Sequence, residues 1–225
     1  MALKGKVEFA PIGALGFDTA VPLTAAAAKD HAAKGFQFCI RYVSRTDKSR
    51  TDNAARGLGD ISESEGKAIL SSGMALMIVQ HVAAHGWIPT AQLGKDYGTK
   101  AAQFTQAAGV PKGVNLWLDL EDIPQATPAA DIIAYANAWF AQVKAAGFVP
   151  GVYVGFAVWL TPDQLFFDLH TEHYWRADGK IVDVSHRGYQ MFQHTANIGT
   201  AQEFDKDLVM YDSLGGAPLW LAPTK

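Results

Sequence analysis

The sequence predicts an α/β chain folded as an irregular TIM-like barrel, with five βα units followed by three strands on short connections. Three observations carry that expectation. Gly35, Gly73, Gly109 and Gly147 recur at intervals of 38, 36 and 38 residues, each closing an Ala-rich amphipathic stretch. Glycine just past a helix end and ahead of an apolar run marks an αβ connection, and a period in the high thirties is the length of one βα unit. Eight short apolar runs follow one another along 225 residues, which suits a closed barrel better than an open doubly wound sheet. Acids, amides and aromatics also recur at the same end of nearly every run.

Taken in order, the expected strands are residues 14–18, 36–43, 75–82, 114–121, 149–155, 172–177, 189–194 and 208–211. The helices between them are expected at 24–34, 63–72, 98–108 and 130–146. Thr24 and Ser62 are N-cap residues in type, and Ser62-Glu63-Ser64-Glu65 has the form of a capping box. A fifth helix, 162–169, opens with Thr161 as cap and Pro162 at its first position. Beyond it the connections are too short, or too rich in glycine and polar residues, for full helices. The stretch 45–56 carries Arg45, Lys48, Arg50 and Arg56 against Asp47 and Asp52, and reads as a solvated loop or a contact for anionic wall polymers. No linker composition interrupts the chain, so one domain over 1–225 is expected.

Composition excludes several classes. The chain is 49% hydrophobic and 18% charged, enough apolar residues for a large core, and its net charge of −3 argues against a nucleic-acid partner. No run approaches 18 uncharged apolar residues, so no membrane span is expected. The N-terminal residues lack a secretory apolar region, giving the expectation of a protein made in the cytoplasm. Cys39 is the only cysteine and lies inside an apolar run, as a buried structural thiol would. Gly13-Ala14-Leu15-Gly16-Phe17-Asp18 matches neither dinucleotide nor P-loop spacing. His81 and His85 have metal spacing but fall at a strand end without a zincin glutamate, and His170 and His173 flank a helix end. No metal and no organic cofactor is expected. No serine has the context of a nucleophile elbow.

The chemistry concentrates in Val114-Asn115-Leu116-Trp117-Leu118-Asp119-Leu120-Glu121-Asp122. Side chains alternate across a strand, so Asp119 and Glu121 share a face with Trp117, while Leu118 and Leu120 point the other way. Two acids crowded at the end of a buried strand repel each other and lose hydration. That raises one pKa and leaves the other group ionised, the division of labour acid/base chemistry uses. The C-terminal strand ends of a parallel barrel form its active face. There the other runs deliver Asp18, Arg41-Tyr42, Gln80-His81, Tyr153, Trp175, Gln193 and the pair Asp205 and Asp207. Carboxylates beside aromatic faces are what a sugar cleft requires.

At this point the chain resembles the lysozymes (muramidases) of glycoside hydrolase family 25 and the related glycoside-hydrolase-like domains of bacteria and phages. The resemblance covers roughly residues 15–221. It is carried by Gly16-Phe17-Asp18, Asp119-Leu120-Glu121, Tyr174-Trp175-Arg176-Ala177, Gln190 with Gln193, and Asp207. It implies a peptidoglycan-cleaving hydrolase acting as a monomer on glycan strands; with no secretory apolar region, a phage-type endolysin reaching the wall after release, or a protein exported by a non-classical route, is expected. By the same resemblance Glu121 is the general acid and Asp119 stays ionised beside it. Asp18 and Asp207 close the ring of acids, with Asp205 a competitor for the last position. Many glycoside-hydrolase-like relatives carry Asp where this chain has Glu121.

Arg41 is expected either to reach the cleft and pair with Asp18 or Asp119, or to make a structural salt bridge. Gln80 and Gln193 bond sugar hydroxyls or strand-end backbone; Tyr153 and Trp175 are sugar platforms or core. Trp87, Trp139, Trp159 and Trp220 are assigned to packing or loops. Two other functions fit the same residues: a catalytically silent glycan-binding barrel, and a hydrolase of another 2-acetamido polymer such as chitin. A phosphate-binding metabolic barrel has only Gly215-Gly216 in its favour.

Overall fold

The computed structural model describes residues 2–194 and 204–224. Its centre is a closed barrel of eight strands: β2 (Leu15–Thr19), β3 (Phe38–Val43), β4 (Ala75–Gln80), β5 (Asn115–Leu120), β6 (Val149–Val154), β7 (Tyr174–Arg176), β8 (Met191–His194) and β9 (Asp205–Val209). Strands β2 to β8 run parallel, and pairing of β4 with β5 closes the ring. The last barrel strand differs. β9 is antiparallel to both β2 and β8, so its first residues, not its last, lie at the C-terminal end of the others.

The helices α1 (Ala25–Ala33), α3 (Glu63–Ser71), α4 (Ala91–Ala107) and α5 (Ala129–Ala145) lie in the connections between the parallel strands. Thr24, Ser62 and Thr90 cap α1, α3 and α4 through their hydroxyls. The four repeat glycines all stand in the left-handed region, with φ of 94°, 95°, 82° and 95° at Gly35, Gly73, Gly109 and Gly147. That is the conformation a helix C′ position needs and β-carbons resist. The fifth helical segment is a short π-helical turn, Gln164–Asp168.

Three elements depart from the sequence reading. The stretch 45–56 contains a helix, α2 (Asp47–Ala55), held by a capping box between Thr46 and Ser49; it buries no residue, so no apolar stripe announced it. Helix α4 starts seven residues before the expected 98. Gly94 and Gly98 look like breakers, but a β-carbon at either would lie 2.1 or 2.7 Å from the backbone oxygens of Tyr135 and Trp139. The two glycines let α5 approach. The third departure is an antiparallel ribbon of β1 (Lys6–Phe9) and β10 (Leu219–Ala222), which pairs through β10 with the start of β4. Trp220 of β10 packs on Phe38 at 5.7 Å inside the barrel, filling its N-terminal end.

Two apolar clusters follow the strand alternation. Phe38, Ile40, Met77, Val79, Trp117, Trp175 and Met191 fill the barrel. Cys39, Val43, Leu76, Ile78, Leu118, Leu120 and Val152 face the helices. Cys39 is fully buried, and burial pushes its thiol pKa up, as an inert structural cysteine requires. The interior is thus packed at the N-terminal ends of the strands by Trp220 and Phe38 and opens into a cavity where the parallel strands end.

Candidate active site

Strand parity decides what reaches that opening. Asp119 and Glu121 follow Trp117 into the barrel, as expected, while Leu118 and Leu120 join the outer layer. The same alternation delivers Asp18 from β2, Tyr42 from β3, Tyr153 from β6, Trp175 from β7 and Gln193 from β8. A cavity of about 120 Å³ is bounded by Tyr42, Asp119, Glu121, Tyr153, Gln193 and Asp205, with Trp175 in its wall. A groove of about 320 Å³ shares Tyr42 and Asp205 with it and reaches Asp18. Carboxylates from the first, fourth and last barrel strands therefore meet at one mouth.

Asp18 is 4% exposed. Its Oδ1 accepts the Tyr42 hydroxyl at 2.7 Å and its Oδ2 accepts the Gln193 amide at 2.8 Å, while Gln193 Oε1 accepts the Tyr153 hydroxyl at 2.7 Å. Burial nevertheless outweighs these donors and pushes the Asp18 carboxyl up to about 7. Asp119 lies deeper between the strands. Its Oδ2 accepts the Val82 amide at 3.1 Å, and its Oδ1 is buried with no hydrogen-bond partner among the described residues. Burial first, then the Glu121 charge, raises it well above the ordinary carboxylate range.

Glu121 is the more open of the pair, and burial followed by the Asp122 charge pushes it up to about 7. Its backbone is gripped from three sides. The Trp87 indole donates to its carbonyl at 3.0 Å, the Asp122 amide donates to Phe156 O at 3.0 Å, and the Phe156 amide helps hold its carboxylate. Asp122 and Ala157 on the two facing turns both stand at φ 56°, a conformation non-glycine residues adopt only when their surroundings impose it. A β-carbon on Gly155 would come within 2.4 Å of Glu121 Oε2 and 2.5 Å of Glu121 Cβ. Gly155→Ala is therefore expected to displace the Glu121 carboxyl and cost about 1–3 kcal/mol of stability through overpacking. Chemical denaturation and a crystal structure of the variant would read both effects.

Several expectations are corrected. Arg41 does not reach the cleft: it is fully buried on the outer face of β3, where its Nε bonds Glu65 Oε1 at 2.6 Å and its guanidinium also donates to Thr19 O and Gly59 O. It ties β3 to α3, the structural salt bridge of the two alternatives, and neither Asp18 nor Asp119 is its partner. Gln80 also points outward, donating to Ser44 O and Tyr97 O and accepting the Trp139 indole at 2.7 Å. Both residues lie one position out of phase with the interior. Asp119 is not kept apart from Glu121 as the ionised partner of a raised acid; desolvation raises both. Asp207, fully buried, lies beneath the cavity and is raised well above the usual range by burial and then the Asp18 charge. Asp205, not Asp207, lines the mouth, because β9 enters from that end.

The sequence reading brought Tyr42 to the active face without giving it a role and left Gly155 and Trp87 outside the site, and alternation along β3 would have selected Tyr42 in place of Arg41. His81 stacks beside Tyr42 at 4.5 Å; burial, then Arg45, lowers it to about 4 and leaves it neutral. His85 is exposed and 3.7 Å from Asp122. Among the described residues no three His, Cys, Asp or Glu side chains converge as a metal site. Gln190 lies at the opposite end of the barrel, bonding Asp212 and His173 near a separate cavity of about 570 Å³.

The family model of the Rv2525c-like, glycoside hydrolase-like domain matches residues 29–209. The chain belongs to that family. Among solved structures it is similar to the Tat-secreted protein Rv2525c of Mycobacterium tuberculosis, solved with L-tartrate, at 18% identity over 89% of this chain and 96% of that one, with a TM-score of 0.67. It is also similar to the catalytic domain of endolysin ply40 from bacteriophage P40 of Listeria monocytogenes (17% identity, 89% and 95% covered, TM-score 0.58) and to the bacterial lysozyme of Streptomyces coelicolor (13%, 88% and 92%, TM-score 0.54). A search of curated proteins gave no match. At such identities the Rv2525c-like chain shares a barrel with lysozymes, which is a statement about fold.

Proposed function

We propose that this Rv2525c-like barrel is a peptidoglycan-cleaving glycoside hydrolase acting between N-acetylmuramic acid and N-acetylglucosamine. The observation that carries the reading is the meeting of Asp119 and Glu121 in one aromatic-walled cavity at the barrel mouth. Glu121, half-buried, holds a proton at neutral pH that an exposed glutamate would have lost. It gives that proton to the glycosidic oxygen as the bond to the anomeric carbon breaks; water, directly or after the substrate's own 2-acetamido oxygen, then bonds that carbon and returns a proton to the site. Asp119, anchored by the Val82 amide beneath it, faces the anomeric side or the 2-acetamido group. Asp18, positioned by Tyr42 and Gln193, closes the third side. No step requires a metal or organic cofactor.

The sign of the pH dependence follows from Glu121. An acid that must be protonated loses activity as pH rises through its pKa, so release of reducing ends from purified walls is expected to decline with a midpoint near 7. A decline centred near the ordinary glutamate value would contradict the assignment.

The depth of Asp119 favours one other reading. Its burial, with Oδ1 lacking a partner among the described residues, disfavours the charge that would stabilise a cationic sugar, as in a barrel that binds wall glycan without cutting it. That reading predicts saturable binding of wall fragments and no new reducing ends after long incubation.

A further inference from the structure

We propose that Arg45 reads a carboxylate on the substrate, so that the cleft prefers 2-acetamido glycans with free acidic side chains over neutral ones. The inference rests on the glycan reading of the cleft and names what that cleft selects.

Its basis is the pairing of charges around the mouth. Three of the cations near α2 hold carboxylate partners: Lys48 with Asp52 at 2.6 Å, Arg50 with Asp60 at 3.4 Å and Lys100 with Asp47 at 2.6 Å; Arg56, at the end of α2, is exposed to solvent and forms no ion pair with any described residue. Arg41 is neutralised by Glu65. Arg45 is half-buried, yet it forms no ion pair with any described residue and instead lies over the Tyr97 ring, its Cζ 5.9 Å from the centroid. The backbone fixes residue 45 two positions past the end of β3, at the rim where the parallel strands end. The His81 amide donates to Val43 O at 3.0 Å and Gln80 donates to Ser44 O at 3.2 Å, tethering the segment that carries Arg45 to the end of β4. Its charge is felt by Asp119 in the cavity wall and by His81 just past the end of β4.

A cleft containing Asp18, Asp119, Glu121 and Asp205 repels an anionic glycan unless a cation offsets it. A guanidinium stacked on an aromatic ring keeps its planar donor edge free and is weakly hydrated, which suits it to a carboxylate. A neutral polymer such as chitin has no use for it; the acidic peptide side chains of peptidoglycan do.

The test is calorimetric binding of a muramyl-peptide disaccharide with its peptide carboxylates free, and of the same fragment with them amidated. The parent protein is expected to bind the free form about tenfold more tightly, equivalent to about 1.4 kcal/mol, with the preference shrinking at high salt. Arg45→Gln is expected to bind both forms alike, at the parent's affinity for the amidated one. Equal binding of the two forms by the parent, no binding of either, or a preference that survives in Arg45→Gln overturns the proposal. The parent comparison needs no variant to fold. Cleavage is scored separately: a parent that prefers the free form and cuts nothing keeps this inference and loses the hydrolase reading.

Discussion

Glu121→Gln is expected to reduce wall hydrolysis by roughly 10²- to 10⁴-fold, the usual worth of a positioned general acid, while the protein stays folded. Glutamine keeps the shape of the side chain and its approach to Gly155, together with the bond from the Trp87 indole to the carbonyl of residue 121 and that from the Asp122 amide to Phe156 O. Only the transferable proton is lost. Removing a desolvated carboxyl also removes an unfavourable charge at alkaline pH, so thermal stability is expected to be unchanged or higher. A variant that clears walls at the parent rate would show that Glu121 is not the proton donor. A variant that unfolds would show the carboxyl to be part of the scaffold.

The second large effect concerns stability and pH. Asp18 is pushed up to about 7 in the folded protein from an ordinary value near 3.8. A raised acid binds a proton in the folded state that the unfolded chain has released, so its contribution is present below pH 4 and is lost as pH rises through 7. For Asp18 that amounts to roughly 4 kcal/mol, at about 1.4 kcal/mol for each tenfold in proton affinity. Histidines act in the opposite sense. His81, lowered to about 4, contributes stability that is present above its unfolded value and is lost as pH falls through 4. The informative quantity is therefore the difference between Asp18→Asn and the parent. Asparagine cannot ionise, so the variant is expected to gain on the parent between pH 4 and 7.5, by up to a few kcal/mol in chemical denaturation. A difference independent of pH would mean that Asp18 does not titrate in that window.

How much of this was legible in the sequence depended on which rule was applied to which strand. The barrel was readable because each βα unit ends in a glycine that its helix needs at φ near 90°. Asp119 and Glu121 were readable because alternation was carried through β5. Arg41 and Gln80 were misplaced because residue type was used where alternation should have ruled: a charged or amide side chain at a strand end looks functional, yet both face the helix layer. Tyr42, next in phase, is the residue that reaches Asp18. The last acid was ambiguous because only direction separates Asp205 from Asp207. Ten residues lie between β8 and β9, too few for the helical crossover a parallel strand requires, and that count favours the antiparallel strand observed. Helix α2 and the β1–β10 ribbon could not be read from periodicity, since one buries nothing and the other's strands are too short to show a pattern.

The most direct test of the acid pair at the barrel mouth is mass spectrometry of purified peptidoglycan incubated with the protein at pH 5–6. The account predicts soluble disaccharide-peptides ending in reducing N-acetylmuramic acid, absent when Glu121→Gln replaces the parent. An unaltered polymer, or fragments cut at any other bond, would contradict it.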